Sequence, residues 1–140
     1  MARVMAIDYG DARTGVALSD PTGTLAGDAF VIAEKSRGAL AVKLAAVCSE
    51  RGVSHIVLGW PRHMNGDVGE RAKLSEGLAA KLEKLTGLPV ALQDERLTSM
   101  DAHRVLSDNG RRGAKRKAAV DAVAATLILE AFLPSLKNQP

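Results

Sequence analysis

The chain has 140 residues, of which 46% are hydrophobic and 25% charged, the composition of one globular domain and not of a mainly disordered chain. Its single cysteine, Cys48, excludes an intramolecular disulfide framework and a zinc site built from several cysteines. No apolar run reaches the roughly 20 residues that cross a bilayer, and no signal-peptide pattern precedes Asp8. We therefore predict one cytoplasmic domain over residues 1–140, with residues 136–140 as a frayed tail.

The net charge of +3 is a small excess, but it is unevenly distributed. Five of the seven residues from 111 to 117 are basic, namely Arg111, Arg112, Lys115, Arg116 and Lys117. A cluster of this kind favours a polyanionic partner, although a solvated loop has the same composition. Aromatic residues make up only 3% of the chain, which argues against base stacking on an aromatic platform.

The first third of the chain has the pattern of three short strands, over residues 3–7, 13–18 and 29–33, joined by turns. Helices and strands then alternate. The first helix is predicted over 37–51 and the last over 117–132. Two further helices begin at capping pairs: one runs from Asp67 and Glu70 to 86, the other from Thr98 and Asp101 to about 108. Strands are predicted over 54–58 and 89–93. The order βββαβαβαα predicts an α/β fold: a mixed five-stranded sheet, antiparallel in its first three strands, with helices on both faces.

Carboxylates stand at three places where a core does not need them. Asp8 ends the first strand, Asp94 and Glu95 end the last strand, and Asp121 lies early in the final helix. Ligands bind at the carboxyl ends of parallel strands, and carboxylates that converge there need a cation to neutralise them. Oxygen ligands suit Mg²⁺ or Mn²⁺, and two such ions support phosphodiester hydrolysis. Turn chemistry, a local ion pair and a helix-capping charge are the alternatives, and strand alternation leaves the choice between Asp94 and Glu95 open.

Four segments in this order resemble the YqgF family, which is described as pre-16S rRNA nucleases and as homologues of Holliday-junction resolvases. The segments are Ile7–Gly10 with Gly15–Ala17, Gly59–Gly66, Asp94–Ser99 and Lys117–Ala125. The resemblance covers about residues 3 to 133 and implies a ribonuclease H-like fold of the RuvC type. The chain departs from the family pattern in the second segment, where Trp60 and Asn65 replace a leucine and an aspartate.

The resemblance implies a metal-dependent nuclease that matures the 5′ end of pre-16S rRNA during ribosome biogenesis, with Mg²⁺ or Mn²⁺ as its cofactor. It implies Asp8, Asp121 and an acid of the Asp94–Glu95 pair, of which we favour Glu95, as catalytic metal ligands. Seven basic residues are predicted to contact nucleic acid, namely Arg13, Arg96, Arg111, Arg112, Lys115, Arg116 and Lys117. Structured RNA is the favoured partner, and ribosomal precursor particles are a further predicted partner. The protein is expected to be a monomer or a homodimer. A junction resolvase for DNA and a non-catalytic RNA-binding assembly factor are the alternatives.

Overall fold

The computed structural model describes residues 3–60, 69–94 and 113–137, with the backbone alone for 113–120 and 137. Five strands and three helices lie in these ranges. The strands are β1 (Arg3–Asp8), β2 (Arg13–Ser19), β3 (Ala26–Ala33), β4 (Val53–Trp60) and β5 (Val90–Asp94). The helices are α1 (Arg37–Arg51), α2 (Glu70–Thr86) and α3 (Gly113–Lys137). In this part of the chain no helix is long and apolar enough to cross a membrane.

The strands form one sheet in the order β3-β2-β1-β4-β5. Strand β2 is antiparallel to both β1 and β3, whereas β4 is parallel to both β1 and β5. Helices α1 and α2 supply the connections that parallel neighbours require. The predicted fold class, a mixed sheet with antiparallel strands first and helical crossovers after them, is confirmed.

One face of the sheet is covered by α1 and α2 and is packed with large aliphatic side chains. Met5 and Ile7 point to this face from β1, and they are fully buried. The helices contribute four equally buried leucines, Leu40, Leu44, Leu78 and Leu82. We call this side the α1/α2 face.

The opposite face is covered by α3 and is lined by smaller residues, and we call it the α3 face. Alternation along β1 sends Val4 and Ala6 to this side, where Ala17 of β2 joins them. Ala125 of α3 is fully buried against them, followed along the helix by the larger Ile128, Leu129 and Leu133. Because the side chains near Ala125 are short, the helix axis lies close to the sheet at that level.

Several predicted boundaries are wrong. Helix α2 begins at Glu70 with Gly69 as its N-cap, and Asp67, the predicted capping residue, lies outside the described residues. Helix α3 begins at Gly113 and not at 117, because the alanines, lysines and arginine that follow are strong helix formers. It continues to Lys137, and Leu136 packs against the core of the α3 face, so the predicted frayed tail begins too early. Strand β3 begins at Ala26, three residues before its predicted start.

Candidate active site

Asp8 is the last residue of β1, at the carboxyl end of a central strand of the sheet. It follows Val4 and Ala6 at alternate positions, so its half-buried side chain belongs to the α3 face. Its direct partner across the antiparallel pair with β2 is Gly15. Opposed residues in such a pair point to the same side of the sheet, so Asp8 and the missing side chain of Gly15 share one face.

Gly15 brings α3 to the level of Asp8. An ideal Cβ atom on Gly15 would lie 2.0 Å from the main-chain oxygen of Asp121 and 2.5 Å from its carbonyl carbon. Only glycine therefore allows the backbones of β2 and α3 to approach so closely. Since Asp8 pairs with Gly15 and Asp121 rests on Gly15, both aspartates occur at the same level of the α3 face. The structure thus places the backbones of two predicted ligand residues, which come from opposite ends of the chain, on either side of Gly15.

Arg13 lies beside this pair. It is two residues before Gly15 on β2 and therefore faces α3 as well. Its Nε lies 3.8 Å from Oδ2 of Asp121, and the two side chains are 30% and 25% exposed. The guanidinium places a positive charge beside the carboxylate of Asp121, and it remains partly exposed.

The structure gives Asp94 a different orientation. Asp94 pairs with Trp60 across β4 and β5, and paired residues of parallel strands share a face. The indole N–H of Trp60 donates to Glu76 on α2 at 3.1 Å, so this pair belongs to the α1/α2 face. Asp94 therefore faces away from Asp8 and Asp121. Glu95 and Arg96 lie outside the described residues, and their roles stay predictions.

Carboxylate oxygens are the donors that Mg²⁺ and Mn²⁺ prefer, so the pair Asp8 and Asp121 fits such an ion in its chemistry. In the described ranges, no three His, Cys, Asp or Glu side chains lie close enough to hold a metal. The two aspartates therefore account for part of a ligand set.

The basic cluster divides between two parts of the chain. Arg111 and Arg112 lie outside the described residues, as does the helix predicted from Thr98. Lys115, Arg116 and Lys117 belong to the first turns of α3, of which the sequence predicts only Lys117 as helical. Lys117 precedes Asp121 by four residues, about 6 Å along the helix axis. The first turn of α3 has no acidic residue. Cations are unfavourable at that end of a helix, so an anion bound there would be favoured.

Sequence reasoning misses Arg71, which lies in the first turn of α2. Its Nη2 donates to the main-chain oxygen of Tyr9 at 2.6 Å, its Nη1 pairs with Asp11, and its guanidinium lies over the ring of Tyr9. These partners are about 60 residues away in sequence, so no local pattern reveals them. The one signal in the sequence is an arginine in a helical first turn, where the helix dipole disfavours a positive charge.

Comparison with known proteins identifies the family. Residues 2–135 match the family described as "RuvX: Holliday junction resolvase". The chain belongs to this family. The resemblance inferred from four short segments is therefore confirmed over nearly the whole length.

Relatives of similar length share about two-fifths of its residues. A protein of Lachnospira eligens named "Putative pre-16S rRNA nuclease" is 42% identical over 95% of this chain and 97% of its own length. A protein of Geobacillus kaustophilus with the same name is 43% identical over 95% and 98%. Each match covers nearly the full length of both chains.

Solved structures show the same fold at much lower identity. Thermus thermophilus RuvC in complex with a Holliday-junction substrate has a TM-score of 0.64 at 13% identity, covering 99% of this chain and 98% of that one. The fowlpox virus resolvase in complex with junction DNA has a TM-score of 0.61 at 11% identity, covering 96% and 98%. At these identities the likeness concerns the fold, and it confirms the RuvC-like arrangement of the sheet and helices.

Proposed function

We propose that this protein is a divalent-metal-dependent endonuclease that hydrolyses phosphodiester bonds in precursor ribosomal RNA. The observation that carries the proposal is the meeting of Asp8 and Asp121 on the α3 face, at the level set by Gly15. Two carboxylates on one side of a sheet repel each other unless a cation lies between them. Arg13, with its Nε 3.8 Å from Oδ2 of Asp121, supplies part of the compensating positive charge, and a divalent cation would supply the rest.

The proposed ligand set for Mg²⁺ or Mn²⁺ is Asp8, Asp121 and Glu95. Asp94, the neighbouring candidate, belongs to the α1/α2 face with Trp60, and this supports the choice of Glu95. A bound divalent ion would lower the pKa of a water and stabilise the leaving oxygen of the cleaved ester. The protein's part is to hold the carboxylates at a fixed separation, which the main-chain contact between Gly15 and Asp121 supports.

The basic residues would hold the nucleic acid beside these carboxylates. Arg13 offers a planar guanidinium, the geometry that binds a phosphate through two hydrogen bonds. The first turns of α3 add Lys115, Arg116 and Lys117 to the amide-rich end of a helix, which attracts phosphate. Arg96, Arg111 and Arg112 complete the proposed contact surface. Binding should therefore weaken steeply as the salt concentration rises.

The choice of RNA rests on the relatives, which are named as pre-16S rRNA nucleases at about 40% identity over nearly the full chain. We propose the same substrate here, with maturation of the 5′ end of pre-16S rRNA as the reaction. The family description names a Holliday-junction resolvase, so four-way DNA junctions are the second substrate to test.

A cleavage panel with Mg²⁺ or Mn²⁺ tests the proposal. The substrates are a precursor 16S fragment, single-stranded RNA and DNA, and a synthetic four-way junction. The Asp8→Asn variant should lose cleavage by about a thousandfold, because a metal ligand contributes several kcal/mol to the transition state. Asp28→Asn is the matched control, since Asp28 is an exposed carboxylate on β3 that pairs with Arg51. Undiminished cleavage by the Asp8 variant would contradict the metal assignment.

The outcomes of the panel also separate the alternatives. Preferred cleavage of the precursor supports RNA maturation, and preferred cleavage of the junction supports a resolvase. Salt-sensitive binding with no cleavage of any substrate identifies a non-catalytic assembly factor. The pair Glu95→Gln and Asp94→Asn then tests the third ligand, because only the former should abolish cleavage.

A further inference from the structure

The turn between β1 and β2 connects two residues of the candidate site. Asp8 ends one strand, Arg13 begins the next, and only four residues separate them. The turn is tight, because a Cβ atom on Gly10 would lie 2.1 Å from the main-chain oxygen of Arg13. The N–H of Gly10 lies 3.4 Å from Oγ1 of Thr14, which is fully buried. Because the turn is so short, a change in its backbone conformation would also shift Asp8 and Arg13 at its two ends.

Arg71 contacts the turn from α2 in three ways. One terminal nitrogen donates to the carbonyl of Tyr9, the residue directly after Asp8. The other pairs with the carboxylate of Asp11. The guanidinium carbon lies 4.6 Å from the centre of the Tyr9 ring, a cation–π distance. A planar group with several donors satisfies all three contacts at once, which a lysine ammonium cannot do.

We propose that Arg71 is a positioning residue for the metal site, acting on Asp8 through the backbone of Tyr9. This inference rests on the proposed function, since it assigns a purpose to a contact with the turn that carries a proposed metal ligand. By fixing the carbonyl of Tyr9, Arg71 fixes the direction in which the preceding peptide presents the Asp8 carboxylate. Groups hydrogen-bonded directly to a metal ligand typically change metal affinity by about 10- to 100-fold when they are removed, and Arg71, which acts through the next residue, is expected at the lower end of that range.

Two other roles for Arg71 make different predictions. If Arg71 acted only through its charge, Arg71→Ala would tighten Mn²⁺ binding, because a nearby positive charge is lost, and Arg71→Lys would leave it unchanged. If Arg71 only joined α2 to the turn, both variants would lower the unfolding temperature, and Mn²⁺ binding measured well below that temperature would not change. If Arg71 positions Asp8, both variants bind Mn²⁺ more weakly in the folded state.

The experiment is a titration of the full chain with Mn²⁺, without nucleic acid, followed by calorimetry or electron paramagnetic resonance. Thermal unfolding is measured alongside it. We expect the Mn²⁺ midpoint to rise about tenfold in Arg71→Lys and at least as much in Arg71→Ala. Arg37→Lys is the matched control, because Arg37 also donates to a carbonyl of α2, that of Leu74, within the packing of α1 on α2. Its midpoint should stay that of the wild type.

Cleavage supplies a second readout. Saturating Mn²⁺ should restore most of the cleavage by Arg71→Lys. Metal binding also stabilises a partly unfolded variant, so this readout counts only where thermal unfolding shows the variant to be folded before Mn²⁺ is added. An unchanged or lowered midpoint in both Arg71 variants, while Asp8→Asn abolishes Mn²⁺ binding, overturns the positioning role and leaves the proposed function intact. Undiminished Mn²⁺ binding by Asp8→Asn overturns both.

Discussion

The two faces of the sheet are built differently. The α1/α2 face is packed with methionine, isoleucine and leucine, and its helices are held away from the strands by the bulk of these side chains. The α3 face has glycine and alanine where the helix crosses Asp8, and there the main chain of α3 contacts the main chain of β2. Asp8 and Asp121, two of the three proposed metal ligands, are on the second face.

Because of this difference, the α1/α2 face mainly supplies stability, whereas the α3 face mainly sets the geometry of the candidate site. On the α1/α2 face, apolar area removed from water contributes most of the stabilisation, and no proposed ligand depends on the exact distance between α1 and the sheet. On the α3 face, less apolar area is available at the level of Ala125, and the distance itself sets where Asp121 stands. Substitutions on the two faces should therefore affect stability and metal binding to different extents.

The largest expected loss of stability comes from the α1/α2 face. Leu44→Ala removes a fully buried side chain, and we expect the free energy of unfolding to fall by about 2–5 kcal/mol in urea denaturation. Leu85→Ala is the control, because Leu85 is 52% exposed on α2. Cleavage and Mn²⁺ binding per folded molecule should stay unchanged in both. A large drop in either for Leu44→Ala would show that the two faces are not independent.

Gly15→Ala tests the other face. The new methyl group would overlap the main-chain oxygen of Asp121, so α3 must move outward, and we expect a cost of about 1–3 kcal/mol in unfolding free energy. Mn²⁺ binding should weaken as well, unlike in Leu44→Ala. Gly38→Ala is the control, since a Cβ atom on that exposed glycine of α1 would meet Oγ of Ser36 only at an ordinary contact distance of 4.0 Å, and the variant should gain up to about 1 kcal/mol. An unchanged Mn²⁺ affinity in Gly15→Ala would show that metal binding does not depend on the distance between α3 and the sheet.

A smaller effect is expected from the turn between β2 and β3, which belongs to neither core. The pKa of Asp20 is lowered to about 2, because its carboxylate accepts hydrogen bonds from the Thr22 hydroxyl and from the N–H groups of Leu25 and Thr24. The folded state thus favours the ionised form. The resulting stabilisation is complete above pH 3.8 and is lost as the pH falls towards 2.

The stability curve below pH 4 should therefore become flatter in Asp20→Asn. Thr22→Val, which removes one donor, should lie between that variant and the wild type. If the unfolding free energies of Asp20→Asn and the wild type, measured in urea, fell equally with pH below pH 4, the ionised Asp20 would not contribute to stability.

The smallest effect concerns Cys48 on the α1/α2 face, which reports on the opening of that core. Burial raises the pKa of its thiol to about 11, so roughly one thiol in a thousand is ionised at pH 8. Alkylation by iodoacetamide at pH 8 should be very slow in the native protein and fast in urea. It should be faster in Leu44→Ala than in Gly15→Ala, because only the former loosens the core around the thiol.

Much of this architecture follows from the sequence. Alternation in β1 separates Met5 and Ile7 from Val4 and Ala6, so the sequence of this strand alone indicates a sheet that is buried on both faces. Helical spacing and the glycine caps at Gly52 and Gly87 predict the ends of α1 and α2. The predicted start of α3 is wrong because a run of basic residues is typical of a loop, although lysine, arginine and alanine also favour helix.

The site is less accessible to sequence reasoning. Motifs bring Asp8 and Asp121 into one proposed site, but the face on which Asp94 lies depends on its register with Trp60, which no local pattern determines. Two further contacts join residues that are far apart in the chain: the close approach of Gly15 to Asp121, and the hydrogen bond from Arg71 to the carbonyl of Tyr9. Such contacts arise from the assembled sheet, whereas a sequence pattern describes neighbours.

The pairing of Asp8 with Gly15 has a consequence for how the protein avoids inactive forms. If β2 slipped by one residue against β1, Gly15 would leave its place opposite Asp8, and the apolar residues of β2 would exchange faces. Such a misregistered chain would turn the guanidinium of Arg13 towards the aliphatic core of the α1/α2 face. It would also place Val16 and Leu18 under α3, where the close approach of the helix to the sheet leaves no room for them. Packing of the two cores therefore favours the register in which Asp8 lies opposite Gly15. A molecule that has folded stably has also brought Asp8 and Asp121 to the same level of the α3 face.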